Sequence, residues 1–216
     1  MTGDLFARFI ERAGPLWARY IHHPWFEAIH RGDLPMDRFT FFIVHDMPYQ
    51  RDFLNALVLA ASRSVDPAIW LKLRDFILKE VDFEESILDE IGADWTFDRW
   101  AAGPAREGYM NHISRVALEG NTTYIGAALL PCAAGFTGAM AAPADKSHHP
   151  EIYRRWLEYY EKPEQGEFST DLVRLFEEGA TLLGEQELAV AQMVFVRSLQ
   201  HQIAVFDAAW ETKDKW

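Results

Sequence analysis

One cysteine, Cys132, is present in 216 residues, so no intrachain disulfide can brace the fold and stability must come from a packed core. Basic residues are also scarce. Twenty-one Lys and Arg face 33 Asp and Glu, a formal net charge of −12, which repels a nucleic-acid backbone and leads us to expect no DNA or RNA partner. No apolar run approaches the roughly 18 residues that a membrane crossing needs. The longest candidate, Tyr124 to Ala142, is rich in Gly and Ala, carries Pro131 and Cys132, and reads as a buried core helix. No charged segment and apolar stretch of the secretory kind follows Met1-Thr2-Gly3-Asp4, so we expect a cytoplasmic protein that does not engage a membrane. β-Hairpin signals are lacking. So are Glu-x-x-His pairs, and His112, His148, His149 and His201 have no ligand spacing among themselves, so no metal and no other cofactor is expected.

What is abundant is aromatic surface. Aromatics make up 14% of the chain, with eight Trp and fifteen Phe, and such side chains belong in a core, a pocket or a subunit interface. Helical periodicity dominates. Leu5, Phe6, Phe9, Ile10, Leu16, Trp17 and Tyr20 share one stripe that ends at His23-Pro24. After a turn at Gly32 to Pro35, a second pattern runs from Phe39 to Leu57, with Pro48 expected to kink it. Asp66 caps a third helix that stops at Gly92. Further helices fit 96–102, 104–119, 122–142, 150–160, 169–183 and 185–210, with 162–166 read as a separator. No repeat or long linker divides the chain, so residues 1–216 read as one all-α domain, a bundle of medium-length helices.

Few residues in this pattern are suited to chemistry. Cys132 follows Leu129-Leu130-Pro131 in a small-residue helix, where Pro131 cannot donate to the Ala127 carbonyl and should bend the helix. The thiol then lines a site wall or packs as a small hydrophobe. Asp46 and Tyr49 lie three apart on one helix face in an apolar segment. The carboxylate there is hydrogen-bonded at a cavity, bridged to Arg51, or solvated. The run Glu80, Asp82, Glu84, Glu85, Asp89 and Glu90 reads as a solvated acidic face.

The order of several segments resembles the TenA (thiaminase II) family. His23-Pro24-Trp25-Phe26, Gly32-Asp33-Leu34 and the stretch around His45-Asp46-Met47-Pro48-Tyr49 resemble its opening, including the position of its "QD" pair. Ala128-Leu129-Leu130-Pro131-Cys132 resembles its diagnostic "ALLPC". The stretch from Pro150 through Tyr153, Trp156 and Tyr160 resembles its "P-x-Y-x-x-W-I-x-x-Y", and Phe195 to Ala209 resembles its last helix. The resemblance implies a haem-oxygenase-like fold without haem, a homotetramer or homodimer, and a small-molecule ligand of the aminopyrimidine or thiamin type. It also implies hydrolysis at the methylene carbon attached to a 4-aminopyrimidine ring. Such chemistry needs a nucleophile that adds to the ring, an acid for a ring nitrogen, and aromatic walls for a flat substrate.

Carried over by position, Cys132 is the nucleophile and Asp46 the anchor for the aminopyrimidine. Tyr49, Tyr109, Phe136 and Tyr160 would contact substrate or thiol. Gln202 stands seventy positions after Cys132, where the family has its catalytic Glu, and an amide can donate a hydrogen bond but not an acidic proton. Ala133-Ala134-Gly135-Phe136 replaces a bulkier aromatic run and is expected to enlarge or reshape the pocket. Two readings stand at this point: a hydrolase of thiamin-related aminopyrimidines, and a protein of the same build that binds or acts on another small molecule without that hydrolysis.

Overall fold

Helix starts and stops in this chain are set by local chemistry. In the computed structural model, which describes residues 5–142 and 144–216, prolines occupy the first turn of five helices, at Pro15, Pro24, Pro67, Pro104 and Pro163. There the missing N–H costs nothing and the fixed φ is already helical. Side chains also cap free N–H groups: His23 Nδ1 accepts from Trp25 N at 3.2 Å, Asp66 Oδ1 from Ala68 N at 3.1 Å, and Asn121 Oδ1 from Tyr124 N at 2.9 Å. Gly32 (φ 77°) and Gly92 (φ 71°) close two helices in the left-handed conformation that glycine adopts without strain.

The helices, in chain order, are α1 (Leu5–Ala13), α2 (Pro15–Ile21), α3 (Pro24–Arg31), α4 (Met36–Arg63), α5 (Pro67–Ile91) and α6 (Pro104–Glu119). They are followed by α7 (Thr122–Leu130), α8 (Thr137–Met140), α9 (Glu151–Tyr160), α10 (Pro163–Ala180) and α11 (Glu185–Glu211). Helices cover 81% of the described residues and no strand occurs among them. The first stripe is split by Gly14 (φ 53°), and α3 was not foreseen as a helix of its own. The helix expected at 96–102 is only a 3₁₀ turn, Arg99–Ala101, capped by Asp98. Residues 162–166 are no separator: Pro163 opens α10, and Gly166 lies inside it. Pro48 is carried within α4, which continues as helix on both sides.

The chain forms one continuous core cluster. Helix α4 packs along α5 and α6, while α7 lies among α6, α10 and α11. The segment Thr122–Met140 is long and apolar enough to cross a membrane by composition, yet 78% of it is buried by the other helices. Its small residues allow that. A Cβ on Gly126 would stand 3.3 Å from Phe176 Cβ, so the glycine lets α7 approach α10 closely. An aromatic stack joins α3, α4, α11 and the centre of this segment, with Phe42 stacked on Phe206 at 4.8 Å and on Phe136 at 5.8 Å.

Pro131 has the expected effect in a particular form. Residues Pro131–Phe136, between α7 and α8, wind as a π-helix, a widened turn that absorbs the missing donor without ending the helix. One carbonyl of that turn, Ala133, accepts a hydrogen bond from Ser169 Oγ at 2.7 Å, which ties it to α10.

Candidate functional site

Cys132 stands in the π-helical turn and borders a small cavity between α4, α5, α10 and α11. Phe42, Asp46 and Gln50 reach it from α4, Glu80 and Glu84 from α5, and Gln202 from α11. Phe136 and Phe168 complete the apolar wall. The enclosed volume is about 30 Å³, room for a water molecule or two.

The charges inside are few and ordered. Arg106 Nη1 of α6 lies 2.8 Å from Asp46 Oδ1, and Gln50 Nε2 donates to Asp46 Oδ2 at 2.7 Å. The same Gln50 nitrogen donates to Glu84 Oε2 at 3.2 Å, so one amide bridges two carboxyl groups. Tyr160 donates its hydroxyl to Glu80 Oε1 at 2.6 Å. Of the three carboxyls, only Asp46 is paired with the guanidinium. Burial raises the Asp46 carboxyl, while Arg106 and Gln50 act in the opposite direction and favour its ionised form. Burial pushes Glu84 well above the usual carboxylate range, and the charges of Asp46 and Glu80 push it further. Glu80 is raised to about 7, chiefly by burial, with the Tyr160 hydrogen bond opposing and Asp46 adding to the rise.

Cys132 is half-buried and borders the cavity. Burial and the Asp46 and Glu80 carboxylates raise its thiol, against the nearby Tyr49 hydroxyl and Arg106. The resting sulfur is thus a neutral thiol. Tyr49 stacks on Tyr109 at 5.0 Å, and the Arg106 guanidinium lies 4.9 Å from the Tyr49 ring centre. The Tyr49 hydroxyl is buried near the thiol without a well-formed hydrogen bond. Gln202 Nε2 donates to the Tyr109 hydroxyl at 3.3 Å, so its amide is oriented by the tyrosine.

Of the residues expected from sequence, Cys132, Asp46, Gln202 and Phe136 border the cavity itself. Tyr49, Tyr109 and Tyr160 stand just behind, touching those residues or the carboxyls. One expectation needs correcting. The acidic run on α5 is not uniformly solvated: Glu84 is 2% exposed and Glu80 turns inward, while Asp82, Asp89 and Glu90 remain outside. The periodicity does carry this, because Leu73, Ile77, Glu80, Glu84 and Ile87 form one 4-3-4-3 stripe on the core face. Arg106 likewise falls in phase with Tyr109, Met110 and Ile113. The small residues after Cys132 divide between two spaces, with Ala133 lining the inner cavity. Ala134 and Gly135 face away, into an outer groove of about 540 Å³ beside Trp17 and His30, and Phe136 fills the inner side.

Residues 10–212 match the TENA/THI-4/PQQC family. The chain belongs to that family. Among its relatives are two aminopyrimidine aminohydrolases. The one from Halalkalibacterium halodurans is 24% identical over 96% of each chain, and that from Bacillus subtilis is 24% identical over 94% of this chain and 88% of its own. In three dimensions a TenA homologue from Pyrococcus furiosus superposes with a TM-score of 0.86 at 19% identity, covering 95% of this chain and 99% of the other. A TenA homologue from P. horikoshii gives 0.84 at 20% identity, covering 99% and 100%. The architecture is the all-α, haem-oxygenase-like fold.

Proposed function

We propose that this protein hydrolyses a thiamin-related aminopyrimidine at its methylene carbon, with Cys132 as nucleophile and the Asp46 carboxylate as anchor for the exocyclic amine. The reading is carried by one observation. The thiol, the Asp46 carboxylate held by Arg106 and the oriented Gln202 amide border a single cavity, in a chain whose relatives include proteins named for that hydrolysis. Asp46 suits the anchor because Arg106 favours its charged form, which accepts from an amine. Phe42, Phe136 and the Tyr49–Tyr109 stack would hold a flat ring. A pyrimidine exceeds the resting volume of about 30 Å³, so entry requires side chains to move.

Incubation with thiamin and with aminomethyl-pyrimidine, following both binding and release of hydroxymethyl-pyrimidine, tests the reading. Binding without release would favour the second reading, a protein of this build that holds another small molecule or performs other chemistry. Gln202 in place of an acid is the observation behind that alternative. The same proposal takes residues 1–216 as one domain acting in the cytoplasm as a homotetramer or homodimer. Exposed Trp100, Leu118 and Met193 offer apolar area for such assembly.

A further inference from the structure

The proposed hydrolysis needs a proton for the ring nitrogen, and Gln202 cannot supply one. We propose that Glu80 supplies it, from the opposite wall of the same cavity, so that the acid has moved from α11 to α5. This inference rests on the reading above and extends it to a residue that sequence reasoning left on the surface.

The geometry favours Glu80 over its neighbour. Glu84 is sealed, bonded to Gln50 and adjacent to the Asp46–Arg106 pair, where a neutral carboxyl mainly limits like-charge repulsion. Glu80 lies a turn away on the same face and borders the cavity that Cys132 borders. Tyr160 fixes one of its oxygens at 2.6 Å, and its other oxygen makes no hydrogen bond among the described residues. A carboxyl held at one oxygen and unbonded at the other can lose and regain a proton there without reorganising.

The groups facing it come from four elements. Asp46 faces it from α4, Glu84 from its own helix, Cys132 from the π-helical turn, and Tyr159 and Tyr160 from α9. From α11 only the uncharged Gln202 reaches the cavity. Arg106 is committed to Asp46, and no cation pairs with Glu80 among the described residues. Its proton is accordingly retained to about pH 7.

The step balances. The Cys132 sulfur bonds to a ring carbon, the displaced ring electron pair goes to the ring nitrogen, and that nitrogen takes the Glu80 proton. The thiol proton then returns Glu80 to its acid form. The amine leaves the methylene with its bonding pair, water adds its oxygen there, and the departing amine takes the water proton. Expulsion of the sulfur, with return of the ring-nitrogen proton to it through Glu80, restores thiol and carboxyl.

The experiment compares the parent with Glu80→Gln and Tyr160→Phe on aminomethyl-pyrimidine and thiamin across pH 5 to 9. Gln keeps an acceptor for Tyr160 and removes only the proton. The parent rate should fall as pH rises through about 7. Glu80→Gln should lose at least about 100-fold in kcat, within the usual range for general acid catalysis, with ligand Kd nearly kept and the limb gone. Adding Gln202→Glu to that variant should restore part of the rate. Tyr160→Phe removes a bond to the carboxylate and should move the limb to higher pH, which decides the matter even if Glu80→Gln fails to fold. An active parent whose limb survives Glu80→Gln, or does not respond to Tyr160→Phe, overturns the assignment alone. A parent inactive on both probes overturns the hydrolase reading and this assignment with it.

Discussion

Arg106 and Asp46 form a buried ion pair, 2.8 Å from nitrogen to oxygen, with side chains only 2% and 9% exposed. It joins α6 to α4, and among the described residues Arg106 is the one cation paired with a cavity carboxyl. Removing one partner of such a pair strands the other charge in a poor solvent. Arg106→Met is therefore expected to cost about 3–5 kcal/mol in urea unfolding. A cost below about 1 kcal/mol would show that Asp46 simply takes up a proton.

Asp214 holds the helix that presents Arg106. Its carboxylate accepts from Ala105 N at 2.8 Å and from Arg106 N at 3.2 Å, capping the first turn of α6. Gly103 makes room for it, since a Cβ there would lie 2.0 Å from the Asp214 carbonyl oxygen. Asp214→Ala should cost about 1–2 kcal/mol, the usual worth of a strong cap. It should also weaken ligand binding, and unchanged affinity in calorimetry would separate the cap from the site.

Cys132→Ser is expected to abolish turnover while ligand affinity and Tm stay nearly as in the parent, because the hydroxyl fits the thiol's space. The buried neutral thiol of the parent should react slowly with iodoacetamide at pH 7, and a bound aminopyrimidine should slow it further. Turnover retained by the serine variant would return Cys132 to the role of a packed core residue.

The cavity carboxyls make stability depend on pH. A carboxyl raised in the folded state binds its proton more tightly there than in the unfolded chain. Its contribution is present at low pH and lost as pH rises through the folded value. For Glu80 that loss runs from the ordinary glutamate range up to about 7. Glu80→Gln should therefore raise stability at pH 8 by on the order of 2 kcal/mol and change it little at pH 5. Glu84→Gln should act in the same direction. Melting curves at the two pH values give the comparison, and an equal shift at both would exclude ionisation as the cause.

Phe168 separates the inner cavity from an outer groove between α5 and α10 and borders both. It stacks on Phe76 at 4.5 Å. Phe168→Ala should open one space to the other, accelerate alkylation of Cys132 by about tenfold or more, and cost about 3 kcal/mol of stability. Faster alkylation without that loss of stability is not expected, and no acceleration would place the entry route elsewhere.

Much of this was legible in one dimension because the signals are local. Pro104 and Glu119 bound α6, Asp66 and Gly92 bound α5, and the 3.6-residue stripes identify an all-α chain, since capping and periodicity act within a few residues. The resemblance around "ALLPC" pointed to Cys132, Asp46, Gln202 and Phe136, all of which meet at the cavity. Arg106 and Gln50 were not singled out, and Glu80 and Glu84 were read as part of a solvated face. A charged residue on a core-facing stripe looks like any other until the helix opposite is known. Hydrophobic pattern says which way a side chain points, not what it meets. That Glu80 is answered by Tyr160, eighty residues later, and that Arg106 pairs with Asp46 while Gln50 bridges Asp46 to Glu84, follows only from how α4, α5, α6 and α9 pack. Packing also decided that Ala134 and Gly135 open outward while Phe136 closes the cavity, because the π-helical turn at Pro131 sets which residues of that segment face in. Composition and spacing thus determined the helices, and the resemblance to the family the candidate thiol. Tertiary contact alone determined the protonation of the groups around it, since burial and neighbouring charge are properties of the assembled fold.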